Sequence, residues 1–125
     1  MKTKIPVMWA ICACLALVAG CSKHSIVNDP VFARKVADAV YSGSLASIKD
    51  SLSPQFALDD AWAKELSDTV KPEFGDIKDV KLNTFGEKTQ TTQEMIWTVT
   101  TERSTFLMQL IYDQDDKLLS IQFNY

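Results

Sequence analysis

Few residues in this chain carry groups that could do chemistry. Its single histidine, His24, and its three cysteines, Cys12, Cys14 and Cys21, all fall within the first 24 of 125 residues. A zinc site needs four such ligands, or carboxylates, converging on one point, so this set predicts no metal centre. Serines and threonines further along have no histidine to take their proton, which excludes a Ser-His-Asp hydrolase. The glycines Gly20, Gly43, Gly75 and Gly86 are isolated and make no phosphate-cradling loop. Asp113, Asp115 and Asp116 are close in sequence but lack the glycine and distal glutamate of a calcium loop. Short polar side chains in that spacing read as a turn. Glu94 and Glu102 stand at the two ends of a predicted strand, where neither is a buried general base. Together these absences predict a protein that is not an enzyme and uses no cofactor.

Cys21 is set apart by what precedes it. Lys2 and Lys4 are followed by sixteen residues, Ile5 to Gly20, without a charge. The run is shorter than the about 20 apolar residues of a membrane span and has the layout of a secretory signal. Its end, Leu17-Val18-Ala19-Gly20-Cys21, resembles the lipobox of bacterial lipoproteins. That resemblance implies a signal peptide over residues 1–20 and a mature chain beginning at Cys21. The cysteine would carry diacylglyceryl on sulfur and an acyl chain such as palmitate on nitrogen. Two or more chains anchor a protein stably where one does so marginally. Ser22 after the cysteine, rather than Asp, implies sorting to the outer membrane, facing the periplasm. Cys12 and Cys14 would leave with the signal, so no thiol would remain for a disulfide.

Residues 21–28 then form a lipidated polar tether, whose seven steps from Cys21 reach at most roughly 25 Å. Residues 29–125 are enough for one domain and too few for two. Hydrophobic residues at 46% and charged residues at 23% suit a globular fold. Thirteen Lys+Arg against sixteen Asp+Glu give −3, which becomes −5 once Lys2 and Lys4 are removed. With no basic block, nucleic acid is excluded as a partner. Contact with the membrane is expected through the N-terminal lipid and not through anionic headgroups.

Helical periodicity comes first along the domain. Asp29-Pro30 is a helix start, followed by Phe32, Val36 and Val40 with Ala33 and Ala37 beside them. Ser42-Gly43-Ser44 ends that helix and caps a second carrying Leu45, Ile48 and Leu52, which Ser53-Pro54 breaks. A third starts near Asp59 or Asp60, carries Trp62, Leu66 and Val70 on one stripe, and is expected to stop before Pro72. After Gly75 the period falls to 2. Val80, Leu82 and Thr84 alternate with polar residues, then Met95, Trp97, Val99 and Thr101. Phe106, Met108, Leu110 and Tyr112 follow, and Leu119, Ile121, Phe123 and Tyr125 close the chain. Turns are expected at Gly86-Glu87-Lys88, Glu102-Arg103-Ser104 and Asp113–Asp116. The predicted class is α+β: three N-terminal helices on a curved antiparallel sheet of four strands, or five if Thr89 to Gln93 pairs separately.

This order resembles the cone of the nuclear transport factor two-like (cystatin-like) superfamily. Within it the chain is most similar to small secreted domains of unknown function. The resembling stretches are Ala61-Trp62 through Phe74-Gly75-Asp76-Ile77-Lys78, Met95 to Thr101, and Leu110-Ile111-Tyr112-Asp113 through Lys117-Leu118-Leu119-Ser120-Ile121. None is a catalytic motif, and a fold of this kind does not determine function. Cone-fold enzymes similar to ketosteroid isomerase place an Asp base inside the pocket, whereas the acids here fall at helix starts, in turns or on outward strand positions.

Two surfaces remain. Trp62, Trp97, Tyr112 and Phe123 lie on inferred inward faces, where they either fill a core or line a cavity for a small apolar ligand. The opposite parity gives Ile96, Thr98 and Thr100, then Leu107, Gln109 and Ile111, then Leu118, Ser120, Gln122 and Asn124. None is charged, whereas a sheet face open to water usually carries Lys and Glu. That predicts a surface for a protein partner or for a homodimer, as the cone resemblance also implies. The expected function is a non-enzymatic envelope lipoprotein that binds through this face. A small apolar-ligand carrier and an immunity or inhibitor lipoprotein are the alternatives.

Overall fold

Helix α1 (Pro30–Ser42) forms where its cap predicts. A computed structural model describes residues 25–125; the signal-like segment, Cys21 and His24 lie outside the described residues. The Asp29 carboxylate accepts from the Val31 N–H at 2.9 Å, and Pro30 occupies the first turn, where its missing donor costs nothing. Phe32, Ala33, Val36, Ala37 and Val40 are all buried. The helix ends at Gly43, whose φ of 79° is left-handed and open to glycine. From there the Gly43 and Ser44 N–H groups fold back onto the Val40 and Ala39 carbonyls.

The second predicted helix is a 3-10 turn, Ala46–Ser51. Leu45 and Ile48 are buried as their spacing predicts, but six residues before a proline are too few to repay α-helical nucleation. Helix α2 (Asp60–Phe74) lies in the middle of the chain, so the helices are not all gathered at its N-terminal end. It is capped by Asp59, which accepts from the Trp62 N–H at 2.9 Å. Its buried stripe is Ala63, Ser67 and Val70, while Trp62 and Leu66 are half-buried against the margin of the core. Small side chains let α2 approach α1 closely, and the Ser67 hydroxyl donates to the Tyr41 carbonyl at 2.6 Å.

Helix α2 does not stop before Pro72; it runs on to Phe74. Proline supplies no N–H to the helix, and the last turn that contains it is held by a distant segment. Arg103 donates through Nη2 to the Pro72 carbonyl at 2.8 Å and through Nε to the Glu73 carbonyl at 3.0 Å. A guanidinium on the last carbonyls also opposes the negative end of the helix dipole. Next to it the Glu102 carboxylate accepts from the Asp76 N–H at 2.9 Å. Gly75 has φ 85°, and a Cβ there would run into the Glu102 side chain.

Four strands follow: β1 (Ile77–Lys88), β2 (Thr92–Thr101), β3 (Thr105–Asp113) and β4 (Leu118–Asn124). They form an open antiparallel sheet in the order β1-β2-β3-β4. The class is α+β. Gly86, Glu87 and Lys88 belong to β1 and are not a turn; the chain reverses after Lys88, where the Thr89 hydroxyl accepts from the Thr91 and Thr92 N–H groups. Thr89 to Gln93 is thereby divided between a turn and the start of β2, and the described residues contain no fifth strand.

Strand parity departs from expectation in three places. Bulges in β1 between Leu82 and Thr84 and between Phe85 and Lys88 break its alternation. Its outer half leaves the helices behind, so Leu82 and Thr84 are exposed and Phe85 is 63% exposed. In β4 the expected order is reversed at the start. Tyr112 pairs with Leu118 and Ile111 with Ser120, a shift that turns Leu118 inward and fully buries it. A parallel bridge from Leu52 and the Ser53 N–H bonded to the Leu118 carbonyl hold it there. Tyr125 does not point into the core. It is 60% exposed and meets Phe74 edge-on at 5.8 Å between centroids.

Candidate functional site

The inner face of the sheet is filled. Trp97 (1% exposed), Tyr112 and Phe123 form one buried cluster with Met95, Met108 and the α1 residues. Phe123 packs on Phe106 at 4.8 Å, and Tyr112 lies 6.5 Å from Phe32. Two polar atoms in this interior, the Tyr41 hydroxyl and Trp97 Nε1, have no hydrogen-bond partner. Burial, with Asp76 nearby, raises the Tyr41 phenol above its ordinary pKa. Burial, then Asp29 and Asp116, pushes the Tyr112 phenol further up, so both stay neutral. Trp62 lies outside the cluster, in a shallow cleft of about 250 Å³ with Leu66 and Tyr125. Clefts of about 410 Å³ open elsewhere, one between Ser53–Gln55, Thr91–Thr92 and Asp113–Asp115, another beside Leu45, Leu52 and Leu58. Trp97, Tyr112 and Phe123 line neither of them.

The aspartates at the β3–β4 connection are engaged in making it. The Asp113 carboxylate accepts from the Asp115 N–H at 2.8 Å and the Lys117 N–H at 2.9 Å. Partial burial works to raise its pKa, but the Lys117 and Asp115 donors outweigh it and hold the carboxyl below its ordinary value. Asp116 takes φ 61° and accepts from the Ser25 hydroxyl. No group of three or more potential ligands is placed to hold a metal ion among the described residues. Glu94 is half-buried and accepts from the Glu87 N–H across the hairpin.

The outer face keeps the expected composition and gains a definite register. One row across β2, β3 and β4 is Ile96, Gln109 and Gln122; the next is Thr98, Leu107 and Asn124. Ile111 and Ser120 extend it on one side, in a row whose β2 member is Glu94, and Thr100 on the other. Ile96, Thr98, Thr100, Gln109 and Ile111 are half-buried by one another, and Leu107 is 37% exposed. Leu118 is the one expected member that is absent, having turned inward. Charge is confined to the margin: Asp79 and Lys81 pair at 3.7 Å on β1, and Glu94 follows Ile96 towards the turns. The helices pack on the other face. No family model, curated protein or solved structure matches the chain. Whatever the face does must therefore be read from its own chemistry.

Two features here lie outside what the sequence reading expects. The Arg103 clamp is a contact across about thirty positions that leaves no local pattern beyond the turn expected at Glu102-Arg103-Ser104. Ile26 and Val27, expected in a free tether, are half-buried against the core. The Ile26 carbonyl accepts from the Tyr112 hydroxyl at 3.3 Å. Two adjacent aliphatic residues in an otherwise polar segment were the available signal.

Proposed function

We propose that this chain is a non-enzymatic lipoprotein of the bacterial cell envelope, anchored through Cys21 to the outer membrane and facing the periplasm. Its domain, of the cone-like kind that its element order resembles, binds a protein partner, a second copy included, through the outer sheet face. The two uncharged central rows, Ile96-Gln109-Gln122 and Thr98-Leu107-Asn124, carry this reading. Threonine, amide and scattered aliphatic side chains tolerate water and lose little when covered, whereas Lys and Glu would resist a partner. Three strands about 4.8 Å apart and five residues along each give about 250 Å² of flat surface. That falls well below the about 800 Å² per partner of a stable interface, so binding is weak in solution. Anchoring on a membrane would raise the effective concentration. A carrier of apolar ligands draws less support, because Trp97, Tyr112 and Phe123 are packed and not cavity-lining.

The test uses residues 25–125 and the Gln109→Lys, Ile111→Lys pair. Light scattering over a concentration series should show a wild-type mass that rises towards the dimer only at high concentration, and a pair variant that stays monomeric with an unchanged circular dichroism spectrum. If the wild type stays monomeric, the face is left to a foreign partner, and wild type and variant should differ in what they capture from solubilised envelopes. Identical capture by both would refute the reading. For the anchor, Cys21→Ser should abolish labelling by a clickable palmitate; equal label on both would refute it.

A further inference from the structure

The point where the N-terminal segment meets the domain restricts how the domain can stand on a membrane. Ser25 to Val27 is docked: the Ser25 hydroxyl donates to Asp116 at 3.3 Å, and the Tyr112 hydroxyl donates to the Ile26 carbonyl. Ile26 and Val27 pack on the core. Both attachment points belong to one end of the sheet, because Lys88, Gln93, Tyr112 and Leu118 share a row next to the β1–β2 and β3–β4 turns. The turn at Pro54–Gln55 joins them around the 410 Å³ cleft. At the opposite end are the Arg103 turn and the end of α2.

We propose that this turn end rests against the phospholipid headgroups, with the strands upright and the outer sheet face turned sideways. The inference depends on Cys21 being lipidated and goes beyond that reading by assigning which surface meets the bilayer. Only four residue steps separate Cys21 from Ser25, a span of at most about 14 Å. A nine-residue strand such as β3 is about 30 Å long, so the tether is too short for the far end to come down instead. The turn end presents hydroxyls and amides, Thr89, Gln90, Thr91, Gln55 and Gln114, with more acids than lysines around them. That chemistry fits zwitterionic headgroups better than anionic ones.

The lipidated protein, reconstituted on phosphatidylcholine vesicles containing a headgroup-nitroxide lipid, provides the test. Lipidation caps Cys21, so single cysteines at Gln90, Gln114, Gln109 and Glu73 can each be labelled with one fluorophore. Emission should be lost at Gln90 and Gln114 and kept at Gln109 and Glu73, because contact quenching does not reach the middle of a strand, about 14 Å from the turn end, or the far end beyond it. Inserting twenty Gly/Ser residues between His24 and Ser25 should abolish the contrast. Loss at Gln109 as well would mean the domain lies on its sheet, and equal emission at all four sites would mean no fixed stance; either overturns the inference while leaving the anchor intact. Failure of the wild type to float with the vesicles overturns the anchor and this inference together.

Discussion

Replacing Trp97 by Phe and by Ala separates two contributions that a single variant would merge. The side chain is 1% exposed in the middle of β2, and its Nε1–H is buried with no partner. Trp97→Ala empties the whole site and should cost about 3–5 kcal/mol. Trp97→Phe removes roughly two CH₂ equivalents of apolar contact, about 1.6 kcal/mol at 0.8 each. It also removes an unsatisfied donor whose burial costs about 1–3 kcal/mol. The two terms nearly cancel, so Phe should fall within about 1.5 kcal/mol of wild type. Urea unfolding of residues 25–125, followed by circular dichroism with a common m-value, measures both. A Phe variant as damaged as the Ala variant would show that Nε1 is hydrogen-bonded in solution, through water for instance, and the cancellation would fail. A loss below about 1 kcal/mol for Ala would remove Trp97 from the core altogether.

Three further outcomes follow from other contacts. Arg103→Ala should cost about 1 kcal/mol, since two charge-assisted bonds are lost at an exposed site. It should also speed amide exchange at Gly75, whose N–H bonds to Lys71 in the turn that Arg103 holds; unchanged exchange would mean that Pro72 is tolerated without help. Starting the chain at Asp29 rather than Ser25 should lower stability by about 1–2 kcal/mol, because the burial of Ile26 and Val27 and the Tyr112 bond outweigh the entropy of ordering four residues only modestly. Equal midpoints for the two lengths in urea would mean that the segment is not docked. Asp113→Ala should destabilise the domain at neutral pH by about 1 kcal/mol through the two hydrogen bonds lost from Asp115 and Lys117. A carboxyl held low in the fold stabilises above its unfolded pKa and loses that contribution as pH falls through its folded one, so the gap from wild type should narrow in acid. A gap constant with pH would contradict the bonding described.

Much of the local structure is written in the chain. Asp29-Pro30 and Gly43 bracket α1 because capping and left-handed backbone are properties of single residues and their neighbours. The change of period after Gly75 places the sheet, since alternate side chains on a strand must face opposite sides. The uncharged run of outward positions from Ile96 to Thr100 and from Leu107 to Ile111 was legible for the same reason, and so was the lipobox-like run, which is a linear signal. What tertiary structure decided lies where distant segments meet. The end of α2 depends on Arg103, about thirty positions away, and not on Pro72 alone. Leu118 faces inward because Leu52 bridges to it and the ladder slips at Ile111, and a slip of one residue reverses every side chain beyond it. Leu82 and Thr84 share the inward parity of Val80 by alternation, but burial requires something to cover them, and that half of β1 is left exposed. Local chemistry fixes what each residue prefers; only the assembled layers decide which preferences are met.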